Sequence, residues 1–102
     1  MAEKIKSEKP YPYLKKLEES IHIAKHQDAG KKSLKRKINS GPAQIAKKMG
    51  EEAVEMVIAS GQESDKDFLN EAADVFYYYL LALHDRGFKL RDVLLILKSR
   101  NI

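Results

Sequence analysis

Four carboxylates at matched spacings are the residues best placed to do chemistry. Glu52 and Glu55 lie three apart in Lys48-Met49-Gly50-Glu51-Glu52-Ala53-Val54-Glu55, and Glu71 and Asp74 lie three apart in Glu71-Ala72-Ala73-Asp74. A step of three is close to one helical turn, so each pair shares a helix face. Taking Ile45 as zero and about 100° per residue, Glu52 falls at about 340°, Lys48 at about 300°, Glu55 at about 280° and Glu51 at about 240°. The apolar stripe of that segment centres at about 50°, so Glu52 borders the buried face. Glu71 and Asp74 sit inside an otherwise apolar run, Phe68 to Leu83, where a solvated face explains acids less easily. Glu-x-x-Glu alone is usually only such a face; the second pair changes the balance.

If the two segments pack side by side, the acids converge. Two carboxylates about 5 Å apart repel by roughly 3 kcal/mol at an effective dielectric near 20. Either their pKa values rise or a cation neutralises them. Donor sets of oxygen alone, without His or Cys, suit a hard cation, so Mg²⁺, or Mn²⁺, is expected in preference to zinc. Such an ion can hold a polyphosphate, stabilise a leaving pyrophosphate and activate water.

The elements that must position these acids are helical. The periodicity predicts helices over about 13–26, 42–60, 65–86 and 90–100, and almost no strand. Leu14, Leu17, Ile21 and Ala24 line the first, with Pro12 in its first turn. Ile45, Met49, Ala53, Met56 and Val57 line the second, with Gly61 as its expected end. Ser64 with Asp67 resembles a cap for the third, whose expected stripe is Phe68, Ala72, Val75, Phe76, Tyr79 and Leu83. The short connection makes these two helices antiparallel neighbours, which brings the four acids to one level. The last segment, Val93 to Leu97, is apolar nearly all round and must be buried on more than one side, the second side pointing to another subunit. The basic stretch 31–37 reads as a short helix or an ordered loop. The expected architecture is an all-α bundle of four to five helices in one domain, 1–102, with 1–10 as a flexible tail.

Composition narrows the classes. Of 102 residues, 43% are hydrophobic and 33% charged, an ordinary globular balance. No apolar run approaches the roughly 20 residues of a membrane span, and no secretory signal is read at the start. The absence of cysteine excludes disulfides and suits a reducing cytoplasm. Residues 1–50 carry 13 basic against 5 acidic side chains, and residues 51–102 carry 6 against 10. A basic first half can meet phosphates.

The same residues carry a resemblance. Glu51-Glu52-x-x-Glu55 followed by Glu71-x-x-Asp74 resembles the signature of the all-α nucleoside triphosphate pyrophosphohydrolases, the MazG-like superfamily. Ile45 to Glu55, Glu71 to Tyr77, and Arg86-Gly87-Phe88 with Leu90 to Leu94 are similar to the phosphoribosyl-ATP pyrophosphohydrolases of histidine biosynthesis. The resemblance covers most of 33–100. It implies Mg²⁺-dependent cleavage between the α and β phosphates of phosphoribosyl-ATP, and a helical homodimer. By position it implies metal ligation by Glu52, Glu55, Glu71 and Asp74, metal ligation or catalytic orientation of water by Glu51, and phosphate contact by Lys48; Lys47 beside it and Tyr78 are further candidates for substrate contact. Two places depart from the family pattern. Leu34 and Lys35 follow Ser33 where a Ser-Tyr-Thr stretch is usual, and Tyr78 stands where His is frequent. These leave open a MazG-type enzyme acting on another nucleotide.

The rival class is a non-enzymatic module in which Lys31, Lys32, Lys35, Arg36 and Lys37 contact nucleic acid. No recognised nucleic-acid motif accompanies them, so that reading ranks below a solvated segment and below substrate phosphate. His22 and His26, spaced i and i+4, have no third ligand nearby and read as surface. Tyr79 reads as core, Tyr78 as a hydrogen-bonding partner for a carboxylate or phosphate, and His84 receives no role.

Overall fold

A computed structural model describes residues 10–27, 30–62 and 64–102. Five helices are present among them: α1 (Pro10–His26), α2 (Lys32–Asn39), α3 (Pro42–Gln62), α4 (Asp65–Asp85) and α5 (Leu90–Ser99). The described residues contain no strand. The basic stretch is therefore helical, and α1 begins at Pro10. The rest of the expected tail lies outside the described residues.

The architecture rests on an antiparallel hairpin of α3 and α4 with α1 and α2 laid across it. Ser64 opens α4 as expected: its Oγ accepts the Asp67 N–H at 3.2 Å and donates to Asp67 Oδ2 at 3.0 Å. Ile21, Ala24, Leu34, Ile38, Ile45, Leu80 and Leu81 form the core. Burying each Leu or Ile stabilises the fold by about 1.5–3 kcal/mol. An eight-residue helix such as α2 is marginal alone. Leu34 and Ile38, one turn apart and both buried, hold it to the core and leave its cations outside.

The ends of α2 are set by glycines. Gly30 (φ +92°) and Gly41 (φ +96°) both take left-handed backbone, where a side chain would be strained. They turn the chain sharply before and after α2, so it crosses the hairpin instead of extending α1 or α3.

Three sequence expectations need correction. Gly61 does not end α3, which runs on to Gln62. The expected stripes of α3 and α4 hold in part: Ile45 is buried, and Met49, Met56, Phe68, Ala72, Val75 and Leu83 are half-buried. Val57 is 71% exposed and Phe76 38%, whereas Ala59, Leu80, Leu81 and His84 are buried. Tyr79 is half-buried and stacks on Phe76, with ring centroids 6.2 Å apart. The physical reason is that both helices are apolar on more than one side. Periodicity found one apolar side of α4, which the protomer half-covers, and the neighbouring side with Leu80, Leu81 and His84 is buried more deeply. The third concerns His84. It is 4% exposed, and its Nε2 lies 2.7 Å from Glu18 Oε2. The same oxygen accepts the Leu90 N–H at 3.0 Å. Glu18 thus ties α1 to the end of α4 and the start of α5. Beside this knot, Lys25 pairs with Asp85 at 2.9 Å.

Candidate metal and phosphate site

The hairpin brings three of the four expected acids together. Glu52 on α3 and Glu71 and Asp74 on α4 each offer a carboxylate oxygen, all within 4.8 Å of one another. Glu52 and Glu71 are half-buried and Asp74 is exposed, so the trio opens to solvent at one edge. Opposite ligands of an octahedral Mg²⁺ lie about 4.2 Å apart, so small side-chain rotations would close the trio on such an ion. The donor set is all oxygen and partly hydrated, which fits a hard divalent cation.

Glu55 is exposed on α3, about 60° round the helix from Glu52, and does not belong to the trio. Glu51 is exposed too, with Oε1 3.7 Å from Lys48 Nζ. Lys47 is exposed on α3 and lines neither of the hollows beside the trio.

Two hollows lie near the trio: the larger takes in Asp74, and the smaller is lined by Lys48 and Tyr78, each one helical turn from a trio residue. The smaller, about 220 Å³, is lined by Arg36 and Lys37 of α2, Lys48, Gln44 and Ile45 of α3, Tyr78 of α4, and Ser40. The larger, about 900 Å³, lies between α1, the start of α2 and α4. Asp74 and Phe76 stand on its α4 wall, Tyr11 and Tyr13 on its α1 wall, and Lys31 at the start of α2. Tyr77 also lines the larger hollow, and Lys37 Nζ sits 5.0 Å from its ring centroid. Burial pushes the Tyr77 hydroxyl above its ordinary pKa, and Tyr78 adds to the effect. The Tyr77 ring meets Tyr78 edge-on at 5.4 Å.

Of the residues expected from sequence, the structure gathers Glu52, Glu71 and Asp74 and sets Lys48 and Tyr78 on the smaller hollow, while Glu51, Glu55 and Lys47 line neither hollow. Sequence reasoning missed the aromatic wall made by Tyr11 and Tyr13, which lie at the edge of the first predicted helix and give no periodic signal. It also left the basic stretch without a place. The structure gives Lys31 to the larger hollow and Arg36 and Lys37 to the smaller. His22 and His26 are exposed, with ring centroids 4.3 Å apart, as a surface reading requires.

Comparison with known proteins points the same way. The chain matches the family described as phosphoribosyl-ATP pyrophosphohydrolase over residues 14–101. It is 38% identical over 87 residues to a phosphoribosyl-ATP pyrophosphatase of Pyrobaculum arsenaticum, covering 85% of this chain and 93% of that protein. It is 44% identical over 66 residues to phosphoribosyl-ATP pyrophosphatase 1 of Rhodopseudomonas palustris, covering 65% and 62%. It is 32% identical over 99 residues to the histidine biosynthesis bifunctional protein HisIE of Campylobacter jejuni, covering 97% and 48%. The chain thus spans about half the length of the bifunctional relative it matches.

Proposed function

Because the chain belongs to the phosphoribosyl-ATP pyrophosphohydrolase family, we propose that it hydrolyses phosphoribosyl-ATP to phosphoribosyl-AMP and pyrophosphate. The observation that carries this reading is the carboxylate trio, with Lys48 and Tyr78 of a basic hollow one helical turn from it, which together suit a cation-bound polyphosphate. Glu52, Glu71 and Asp74 would hold Mg²⁺, or Mn²⁺, with Glu55 the next carboxylate along α3. The ion would neutralise polyphosphate charge and polarise the scissile phosphate.

The chain's own groups supply the rest. Lys48 presents its ammonium to phosphate and is steadied by Glu51. Glu51 orients the attacking water and takes its proton. Water oxygen bonds to phosphorus as the α–β bridging P–O bond breaks, and pyrophosphate leaves. Tyr78 donates a hydrogen bond to phosphate. Purified protein with Mg²⁺ is expected to release one pyrophosphate per phosphoribosyl-ATP, and a chelator such as EDTA to reduce release to background. Release from common nucleoside triphosphates but not from phosphoribosyl-ATP would favour a MazG-type substrate instead.

The functional unit we propose is a homodimer. Val54, Val57 and Ile58 of α3 and Leu94, Leu95 and Ile96 of α5 are all more than half exposed, and α5 buries no residue within the protomer. Exposed apolar surface of this extent marks an interface. Val57→Glu with Leu95→Glu is expected to convert the particle to a monomer in light scattering. An unchanged mass would remove these residues from the interface. No described helix is long and apolar enough to cross a membrane. We place the enzyme in the cytoplasm, which its cysteine-free composition suits.

A further inference from the structure

We propose that the substrate lies across α2 in one direction only, with its departing diphosphate in the basic hollow and its nucleoside in the aromatic cleft. This deepens the pyrophosphohydrolase reading and rests on it.

The two hollows differ in size and chemistry. The smaller has three cations, Arg36, Lys37 and Lys48, and no acid on its walls. Ser40, Gln44 and Tyr78 add neutral hydrogen-bonding groups. Arg36 is exposed, and no hydrogen bond or ion pair engages its guanidinium among the described residues. A planar fork of donors in that state is suited to bidentate phosphate binding. At about 220 Å³ the hollow is about a quarter the size of the other and has room for a diphosphate. The larger hollow, about 900 Å³, is of the size that takes small-molecule ligands. Tyr11, Tyr13 and Phe76 offer flat faces on which a base can stack. Lys16 and Lys31 offer charge for a second phosphate, which a phosphoribosyl group carries.

The carboxylate trio stands at the boundary. Asp74 itself lines the aromatic cleft. Lys48 precedes Glu52 by four residues and Tyr78 follows Asp74 by four, both on the side of the basic hollow. Four residues rise about 6 Å along a helix, close to the span of a diphosphate. A triphosphate with its last two phosphates in the basic hollow therefore sets its α–β bridge at the trio. The bond cut is fixed by where the diphosphate fits, which explains release of pyrophosphate in preference to phosphate.

Calorimetric titration of the intact chain in Mg²⁺ tests this, with inorganic pyrophosphate and adenosine monophosphate as separate probes. Arg36→Ala is expected to weaken pyrophosphate binding at least tenfold and to leave adenosine monophosphate within twofold. Tyr13→Ala is expected to do the reverse. Both side chains are exposed, and unchanged circular dichroism checks the fold of each variant. Equal weakening of both probes by either variant, the opposite pairing, or no binding of either probe to the wild-type chain would overturn the assigned direction. A parallel pyrophosphate-release assay on the wild-type chain judges the underlying activity. If the wild-type chain turns over while the probes fail to separate, only the direction is wrong. If it does not turn over, the activity itself is.

Discussion

Glu52→Gln is expected to lower pyrophosphate release from phosphoribosyl-ATP by at least 10²-fold, with the helical circular dichroism unchanged. Glu52 is the only member of the trio supplied by α3, so it closes the carboxylate group across the hairpin. Glutamine keeps the shape and one oxygen but loses the charge that a hard cation needs. Losing a single well-placed electrostatic contact to a reacting centre commonly costs about 10²–10³ in rate. The fold should survive, because Glu52 is only half-buried and the substitution removes like-charge repulsion against Glu71 and Asp74. A small gain in thermal stability without Mg²⁺ would agree with that relief. Glu55→Gln should cost less, since Glu55 lies outside the trio. Pyrophosphate release within tenfold of wild type for Glu52→Gln would remove the trio from the reaction.

The second large effect is on stability and concerns a residue far from the phosphate chemistry. Glu18→Ala is expected to lower the thermal midpoint by about 10–20 °C. Glu18 Oε2 satisfies two groups at once, the His84 imidazole at 2.7 Å and the Leu90 N–H at 3.0 Å. His84 is buried, so truncating Glu18 leaves its nitrogen without a partner. Each group so stranded costs about 1–3 kcal/mol. Water reaches the 17%-exposed Glu18 side chain and softens the loss, so a total of about 2–4 kcal/mol is expected. For a domain of this size each kcal/mol moves the midpoint by about 4–8 °C. Glu18→Gln retains an acceptor oxygen and should recover more than half of the difference. Calorimetry at fixed protein concentration reads all three proteins. A midpoint for Glu18→Ala within 3 °C of wild type would mean that the link between α1, α4 and α5 is dispensable.

These two residues mark what sequence could and could not reveal. Glu52 was legible because its phase on α3 places it at the margin of the apolar stripe, and because Glu71 and Asp74 interrupt an apolar run. Charge in an apolar setting is a local signal. The antiparallel pairing that joins the two sets follows from a short connection, which is also local. Helix positions were legible for the same reason, down to the Ser64 cap. Glu18 was not legible, because its partners lie 66 and 72 residues away and no periodicity encodes that distance. The most deeply buried residues of α4, Leu80, Leu81 and His84, were not singled out because Phe68 to Leu83 is apolar on several sides. A single chain covers only some of them. Sequence pattern counts apolar positions without knowing which a partner will cover. The basic stretch differs: its composition fits a solvated segment first and phosphate second, and only the placement of α2 shows Lys31 on one hollow and Arg36 and Lys37 on the other.

The two left-handed glycines that bound α2 have an evolutionary consequence. Every carboxylate of the trio belongs to the contiguous hairpin 42–85, whereas Lys31, Arg36 and Lys37 belong to a segment hinged at Gly30 and Gly41 and anchored by Leu34 and Ile38. Such a segment is a replaceable cassette. Its outward residues can change without altering the packing of the hairpin beneath, because Leu34 and Ile38 alone of α2 are buried. Relatives could thus vary the contacts they offer to phosphate while keeping the same carboxylate-bearing pair of helices. Selection would be strictest on the two glycines and the two anchors, which keep the segment in place.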